Sequence, residues 1–378
     1  MKKESDNKPI ERVGGILELD HHRGGFLRER SLEIEKSPRD LQVSHQLIRQ
    51  WKLREASYVE CSTRRGGRGQ EIGDIQTING LEPGAWMKVE EFSRRTAIDP
   101  NERINLTTSP SDISMRIVDL LCPIGKGQRA LIVAPPRSGK TVLMQQMAYA
   151  ISTNHPEIKL MVLLVDERPE EVTDMRRTIR GEVFASSSDS DRENHVRIAK
   201  LVLEYAKRYA ETGKDVVLLL DSLTKMGRAF NAVQKSSGRT MSGGVDARAL
   251  EIPKRIFGAA RALEGGGTLT IIATALIDTN SRMDELIFQE FKGTGNMELV
   301  LDRDLSNDRI FPAINIPESG TRREELLFGR ETSKYQALRR SLNRMRPKEA
   351  MLTMQKAVAQ YATNRKLLAR LAGEEVEV

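Results

Sequence analysis

Cysteine is nearly absent from this chain, with only Cys61 and Cys122 among 378 residues. Two thiols are too few for a disulfide framework and lack metal-ligand spacing, so both read as ordinary residues of a reducing compartment. Long apolar runs are also missing. None reaches the ~20 residues that span a bilayer. The opening MKKESDNKPI has no apolar core like that of a secretory signal and is expected to be a disordered tail, residues 1–10. These absences predict a cytoplasmic protein without membrane contact. No period of repeat size occurs. The formal charge of +7 and pI near 9.3 are compatible with a polyanionic partner, but mildly basic enzymes share them.

What is present divides in two. Residues 11–95 hold short apolar stretches broken by glycine and charge: VGGILEL, GGFLR, LQVS, ASYVECSTR, GDIQTING. Their spacing predicts a small β-barrel. Between them SHQLIRQWKL has helical spacing, with Leu47, Ile48 and Trp51 on one face. Arg64, Arg65 and Arg68 in RRGGRGQ form a flexible basic loop, as compatible with a solvated hairpin tip as with a nucleic-acid contact. Residues 96–113 are polar and read as a linker. From residue 114 to 378, apolar strands (ALIVAP, KLMVLLVDE, DVVLLLDS, TLTIIATAL) alternate with amphipathic helices, the pattern of an α/β fold with a parallel sheet covered on both faces. Met351, Met354, Val358 and Tyr361 mark one face of a late helix, read as packing rather than a ligand site.

Within APPRSGKT a strand ends and a helix begins. The phosphate-loop pattern Gly-x4-Gly-Lys-Ser/Thr fails only at its first glycine, where Ala134 stands. Pro136, Arg137, Ser138, Gly139, Lys140, Thr141 and Val142 form the loop and the helix start. Gly139 permits close backbone approach, amides at the helix start bind phosphate oxygens, Lys140 adds a cation and the Thr141 hydroxyl can ligate Mg²⁺. A second strand ends in Asp221, the pattern of a metal-holding aspartate; a turn cap is the plainer alternative. A third ends in Asp166-Glu167-Arg168. A carboxylate there can orient a water beside a γ-phosphate. Glu167 is favoured, with Asp166 as the base, or a purely structural ion pair with Arg168, left open. All three strand ends fall where open α/β sheets bind ligands.

The run ISMRIVDLLCPIGKGQRALIVAPPRSGKT, with MVLLVDERPEEVTDM, GGVDARAL, TLTIIATALIDT, EFKGTGNMEL and FPAI…SGTRREELL, resembles the Rho family of bacterial transcription termination factors over residues 110–330. The resemblance implies a RecA-like P-loop ATPase domain, an N-terminal OB-fold barrel and a C-terminal helical segment. It also implies a homohexameric ring that binds single-stranded nascent RNA, moves along it 5′–3′ using ATP and Mg²⁺, and releases RNA polymerase. By position it makes Lys140, Thr141, Glu167 and Asp221 the motor residues. Arg322 becomes an arginine finger for the neighbouring subunit, Arg309 a second interface arginine and Phe311 the ring stacking on adenine, with Arg168 beside the nucleotide. For RNA it implies Phe26 and Arg28 on the barrel, Gly238 and Arg239 in one channel loop, Thr279, Asn280 and Arg282 in a second, and Lys292.

Several positions depart from the family pattern. Arg137, Arg239 and Arg282 replace lysines, which keeps charge and alters geometry. Asn280 replaces a glycine, and asparagine tolerates positive φ better than most residues. Gly24 and Gln42 stand where barrel aromatics are expected, and QEIGDIQTI carries no ring. Each lost base stack removes roughly 1–3 kcal/mol of single-strand affinity. A weaker or differently specific primary RNA site is therefore expected, leaning on Arg64, Arg65 and Arg68. Two other readings are a related ring ATPase acting on DNA, separable by which polymer stimulates it, and a non-hydrolysing RNA-binding regulator. Lys140, Glu167, Asp221 and Arg322 together argue against the latter.

Overall fold

The computed structural model describes residues 12–20, 22–66, 69–234, 243–246 and 248–374, and only the backbone of 65, 66 and 69. Arg68, Gly238 and Arg239, and the Arg65 side chain, lie outside the described residues. The chain forms two compact units: the described residues up to Arg95 with Lys200–Thr212, and Thr96–Ala199 with the described residues from Gly213 on.

The first unit holds β1 (Arg12–Asp20), β2 (Gly24–Arg28), β3 (Leu41–Val43), α1 (His45–Gln50), β4 (Tyr58–Gly66), β5 (Gly69–Ile78) and α2 (Pro83–Trp86). The strands run antiparallel in the order β3-β2-β1-β4-β5, and β3 comes back beside β5, giving the expected barrel. Alternate residues fill it: Leu17, Leu27, Val43, Val59, Cys61 and Ile78 are buried in one core. Ser44 caps α1 by accepting from the Leu47 N–H at 3.3 Å. Leu47, Ile48 and Trp51 then pack against the core as their spacing predicts. The basic stretch is less loose than its glycines suggested, because β4 and β5 pair down to Gly66 opposite Gly69. Arg64 lies 3.7 Å from Glu71 in an exposed ion pair.

The second unit opens with β6 (Ala97–Ile98), β7 (Arg103–Ile104), α3 (Ile113–Leu121) and β8 (Ile124–Gly125). Then follow β9 (Arg129–Ala134), α4 (Lys140–Asn154), β10 (Lys159–Glu167), α5 (Pro169–Thr178), β11 (Glu182–Ser187), α6 (Arg192–Glu211, of the first unit from Lys200 on), β12 (Asp215–Asp221) and α7 (Leu223–Val233). Next are α8 (Glu251–Phe257), β13 (Arg261–Leu263), β14 (Thr268–Leu276), α9 (Arg282–Lys292), β15 (Met297–Val300), α10 (Arg303–Asn307) and β16 (Gly320–Thr321). The chain ends in α11 (Glu325–Phe328), α12 (Thr332–Leu342), α13 (Pro347–Gln360) and α14 (Asn364–Leu371). The main sheet runs β11-β10-β12-β14-β9-β15-β16, parallel as far as β15. Its central strands are buried along nearly their whole length and mostly apolar, as in a parallel sheet covered on both faces. This order sets the carboxyl ends of β10, β12 and β9 along one edge.

The polar stretch 96–113 is anchored to this unit. β6 pairs with β13 and β7 with β8. Ile104 and Leu106 are fully buried, and Asp119 accepts the Leu106 and Thr107 amides.

Arg116 on α3, 1% exposed, ties down the C-terminal helices. Its guanidinium donates to the carbonyls of Pro110 and Val358 at 2.8 Å, to that of Tyr361 at 2.6 Å and to Asn364 Oδ1 at 3.1 Å. Met351, Met354 and Val358 of α13 are buried, as their spacing predicts, whereas Tyr361, the fourth residue of that face, ends the helix in an extended conformation and is half-buried. Arg116→Met strands these acceptors and is expected to cost roughly 3–5 kcal/mol. Limited proteolysis should then cut around residues 359–365 well before it cuts the parent chain; equal protection overturns the assignment.

Candidate functional site

The loop after β9 turns through two left-handed residues, Arg137 at φ 67° and Gly139 at φ 90°. Glycine takes the second at no steric cost, and a Cβ there would meet the Phe311 ring at 3.3 Å. Ser138 is buried and braces the loop by donating to the Pro135 carbonyl at 2.7 Å. α4 starts at once with no side-chain cap. Its first closed hydrogen bond runs from Leu143 N to Gly139 O, which leaves the preceding amides pointing out of the helix start, the geometry that attracts anions.

Lys140 leads from this helix start to the other strand ends. Its Nζ donates to Asp221 Oδ1 at 2.6 Å and Oδ2 at 2.7 Å, and lies 3.9 Å from Glu167 Oε1. Burial lowers the Lys140 pKa, but Asp221 and Glu167 outweigh it and hold the ammonium above its ordinary range. Asp221, 1% exposed, also accepts from Thr274 of β14 at 2.6 Å. Glu167 accepts from Lys225 at 2.8 Å through Oε2, while its buried Oε1 has no hydrogen-bond partner. Burial, then the charge of Asp221, raises the Glu167 pKa to about 7, against Lys140 and Lys225. A buried acceptor beside an ammonium and an uncapped helix suits an added donor such as water. Arg168 is exposed at the start of α5 and makes no ion pair with the strand-end carboxylates.

One cavity borders this region and a second lies at the amino-terminal end of β15. Arg137, Ser138, Gly139, Val142 and Phe311 line an apolar one of about 300 Å³. Phe311 is 43% and Val142 58% exposed there, so a planar ring has apolar surface to meet. Lys292, Glu298, Arg322 and Arg339 line another of about 600 Å³. Arg322, exposed after β16, lines this second cavity. Arg309 is exposed, with a left-handed backbone at φ 60°.

The channel-loop residues come together in part. Asn280 has φ 58°, the conformation for which its amide side chain suits it. Thr279 donates to Asp284 at 2.6 Å, and Asp284 also binds Arg228. Arg282 is exposed at the start of α9 and Lys292 at its end, 5.7 Å from the Phe288 ring. Gly243, at φ 84°, approaches the Arg282 carbonyl so closely that a Cβ would sit 3.0 Å away. Residues 243–246 and the second loop therefore share one place.

On the barrel, Phe26 sits opposite Gln42 on the neighbouring strand. Gln42 donates to the Arg23 carbonyl at 2.9 Å. Gly24, at φ 89°, has no room for an aromatic: a Cβ would lie 2.3 Å from the Val43 carbonyl. Arg28 departs from the expected direct RNA contact. It is buried, held by Glu18 at 2.6 Å and Asp40 at 2.5 Å, with its guanidinium 4.9 Å from the Phe26 ring centre. It is placed to brace the ring. Sequence reading missed Lys225, Thr274 and Gly243. Only Lys225, one helical turn beyond Asp221, left a legible signal.

No helix among the described residues is long and apolar enough to cross a membrane, and no three His, Cys, Asp or Glu side chains there group as a metal site. The ATP synthase alpha/beta family, nucleotide-binding domain, matches residues 114–321. The Rho termination factor, RNA-binding domain, matches residues 13–84. These matches make the chain a nucleotide-binding P-loop protein with an RNA-binding barrel. A solved ATPase of the type III secretion system of pathogenic bacteria superposes at TM-score 0.60 with 20% identity, covering 74% of this chain and 88% of that one, a likeness of fold. Transcription termination factor Rho of Pseudomonas aeruginosa is 49% identical over 338 residues, 88% of this chain and 81% of the relative. That of Cereibacter sphaeroides is 50% identical over 344 residues, 89% of this chain and 82% of the relative. At about half identity over most of its own length and of these relatives' length, this chain belongs to the Rho transcription termination factor family.

Proposed function

We propose that the chain is an ATP-driven RNA translocase that terminates transcription. A single observation carries this: one ammonium, Lys140 Nζ, joins Asp221 at 2.6 Å and Glu167 at 3.9 Å beside an uncapped helix start, in a chain that also holds an RNA-binding barrel. The α4 amides and Lys140 bind the phosphates, with Phe311 against the adenine, and Arg137, Val142 and Arg168 around the nucleotide. Thr141 and Asp221 would hold Mg²⁺, which supplies charge neutralisation to the phosphates when bound. Glu167 accepts a proton from the attacking water. Arg322 and Arg309 serve the nucleotide of the next subunit in a hexameric ring, the reading supported by the exposure that leaves both open to a neighbour. A guanidinium there neutralises charge developing on the γ-phosphoryl group.

Residues 11–95 capture RNA, 96–113 connect, and 114–378 drive translocation in the cytoplasm, ending in release of RNA polymerase. Arg282 and Lys292 line the RNA path with Thr279 and Asn280, and Arg239 and Gly238 join them. The barrel stacks bases on Phe26 and takes backbone charge on Arg64, Arg65 and Arg68. The test is the ATPase rate of the full chain with no nucleic acid, poly(C), poly(U), mixed RNA or single-stranded DNA. RNA alone is expected to stimulate strongly, with poly(C) little better than mixed RNA because Gly24 and Gln42 supply no rings. Equal stimulation by DNA, or none by any polymer, overturns the reading.

A further inference from the structure

Glu167 follows a strained residue, and the strain has a dedicated support. Asp166 is left-handed at φ 57°, a conformation that costs a non-glycine residue roughly 1–2 kcal/mol. It falls in a bulge, where the pairing of β10 with β11 shifts register between Val165 and Glu167. The bulge sets the Glu167 direction, as bulges beside active sites do. Lys225 holds the inner side, donating to the Asp166 carbonyl and to Glu167 Oε2, both at 2.8 Å.

The outer side meets His195 of α6, whose side chain is 5% exposed, with Nε2 3.9 Å from Asp166 Oδ1. Its Nδ1 lies 2.7 Å from Ser186 Oγ. Asn194 Nδ2 donates to that same oxygen at 3.1 Å, leaving the Ser186 hydroxyl proton for Nδ1. The ring is then the neutral tautomer carrying its proton on Nε2, toward the Asp166 carboxylate. Burial acts in the same sense by lowering the His195 pKa, against Asp166 and Asp191. The Ser186, His195 and Asp166 set has the order of a hydrolytic triad, but Ser186 is fully buried in the sheet and no substrate reaches it.

We propose that His195 is a positioning residue for Glu167, holding the left-handed Asp166 turn that aims the Glu167 carboxylate at the phosphate loop. The inference rests on Glu167 being the residue that orients the attacking water. Ser186 and Asn194 fix the ring, the ring turns its Nε2–H toward Asp166 Oδ1 at 3.9 Å, an electrostatic contact longer than a hydrogen bond, and Asp166 and Lys225 set Glu167 between them.

Asparagine and glutamine separate the two arms of the imidazole. In His195→Asn the amide reaches Ser186 but not Asp166. In His195→Gln the amide extends to where Nε2 stood. The full-length chain is assayed with saturating RNA for kcat and KM, with Tm alongside. His195→Asn is expected to lower kcat about 10- to 100-fold and change the KM for ATP by less than about twofold. His195→Gln should restore most of the loss. An unchanged kcat in His195→Asn overturns the proposal, as does an equal loss in both variants, which marks a packing role. Should His195→Asn fail to fold, Ser186→Ala must lower kcat in the same direction at unchanged KM, and a parental kcat there overturns the proposal. Glu167→Gln run in parallel tells the two failures apart: if it keeps turnover, the Glu167 reading falls, and if it loses turnover while His195→Asn does not, only the positioning role falls.

Discussion

Lys140→Ala is expected to lower RNA-stimulated ATP turnover by at least about 10²–10³-fold, the cost of removing one preorganised stabiliser of developing charge. It also acts before any nucleotide arrives. Lys140 Nζ is shared between Asp221, 2% exposed in its side chain, and Glu167, 4% exposed. Truncation leaves Asp221 with Thr274 alone and two carboxylates facing each other in a buried site. Breaking a buried pair from one side costs roughly 3–5 kcal/mol. A dead Lys140→Ala protein could therefore be dead through instability. Adding Asp221→Asn removes the stranded charge, so the double variant should regain most of the urea midpoint and none of the turnover, an interaction read from a double-mutant cycle. Recovery of turnover in the double variant would mean that Lys140 serves only to neutralise Asp221.

The same shared ammonium shows how far the sequence could be read. Fully apolar strands made the parallel sheet and its active edge legible, because such runs fit only a sheet covered on both faces. The phosphate loop was legible despite Ala134, since the left-handed glycine sits at Gly139 and the β9 strand needs no glycine to end. The bulge at Asp166 was not legible. It depends on the pairing of β10 with β11, a long-range register that no local pattern records. Thr274 is a buried residue of β14 whose role comes from lying beside Asp221 across the sheet. The family resemblance of HRGGFLR implies an RNA contact for Arg28, because the motif carries residue identity and not partners. Glu18 and Asp40, ten and twelve residues away, claim it only once the strands are assembled. The anchoring of residues 96–113 hides in the same way, behind two buried side chains in a polar stretch.

Glu167→Gln is expected to keep nucleotide binding and lose hydrolysis by about 10²–10⁴-fold, the usual worth of a positioned general base. A glutamine keeps the shape and can still accept from Lys225, so binding, measured by titration of a nucleotide without turnover, should stay near the parent value. The pH dependence gives a sharper test. In the folded chain the Glu167 pKa is raised from 4.5 to about 7, by burial first and by Asp221 second. A base works only when deprotonated. The parent kcat/KM should therefore rise about tenfold per pH unit below 7 and level off above it, the limb reporting the free enzyme. The linked stability runs the other way. A carboxyl whose folded pKa is raised binds its proton more tightly when folded, so its stabilisation is fully present below pH 4.5 and is lost as pH rises through about 7. The parent chain should thus lose urea resistance across the same interval in which it gains activity. Glu167→Gln should flatten both curves there. A parent whose kcat/KM is level from pH 5.5 to 8, or a Glu167→Gln variant that keeps the acid limb, assigns the proton to another group, and Asp166, one residue away on the same bulge, becomes the base.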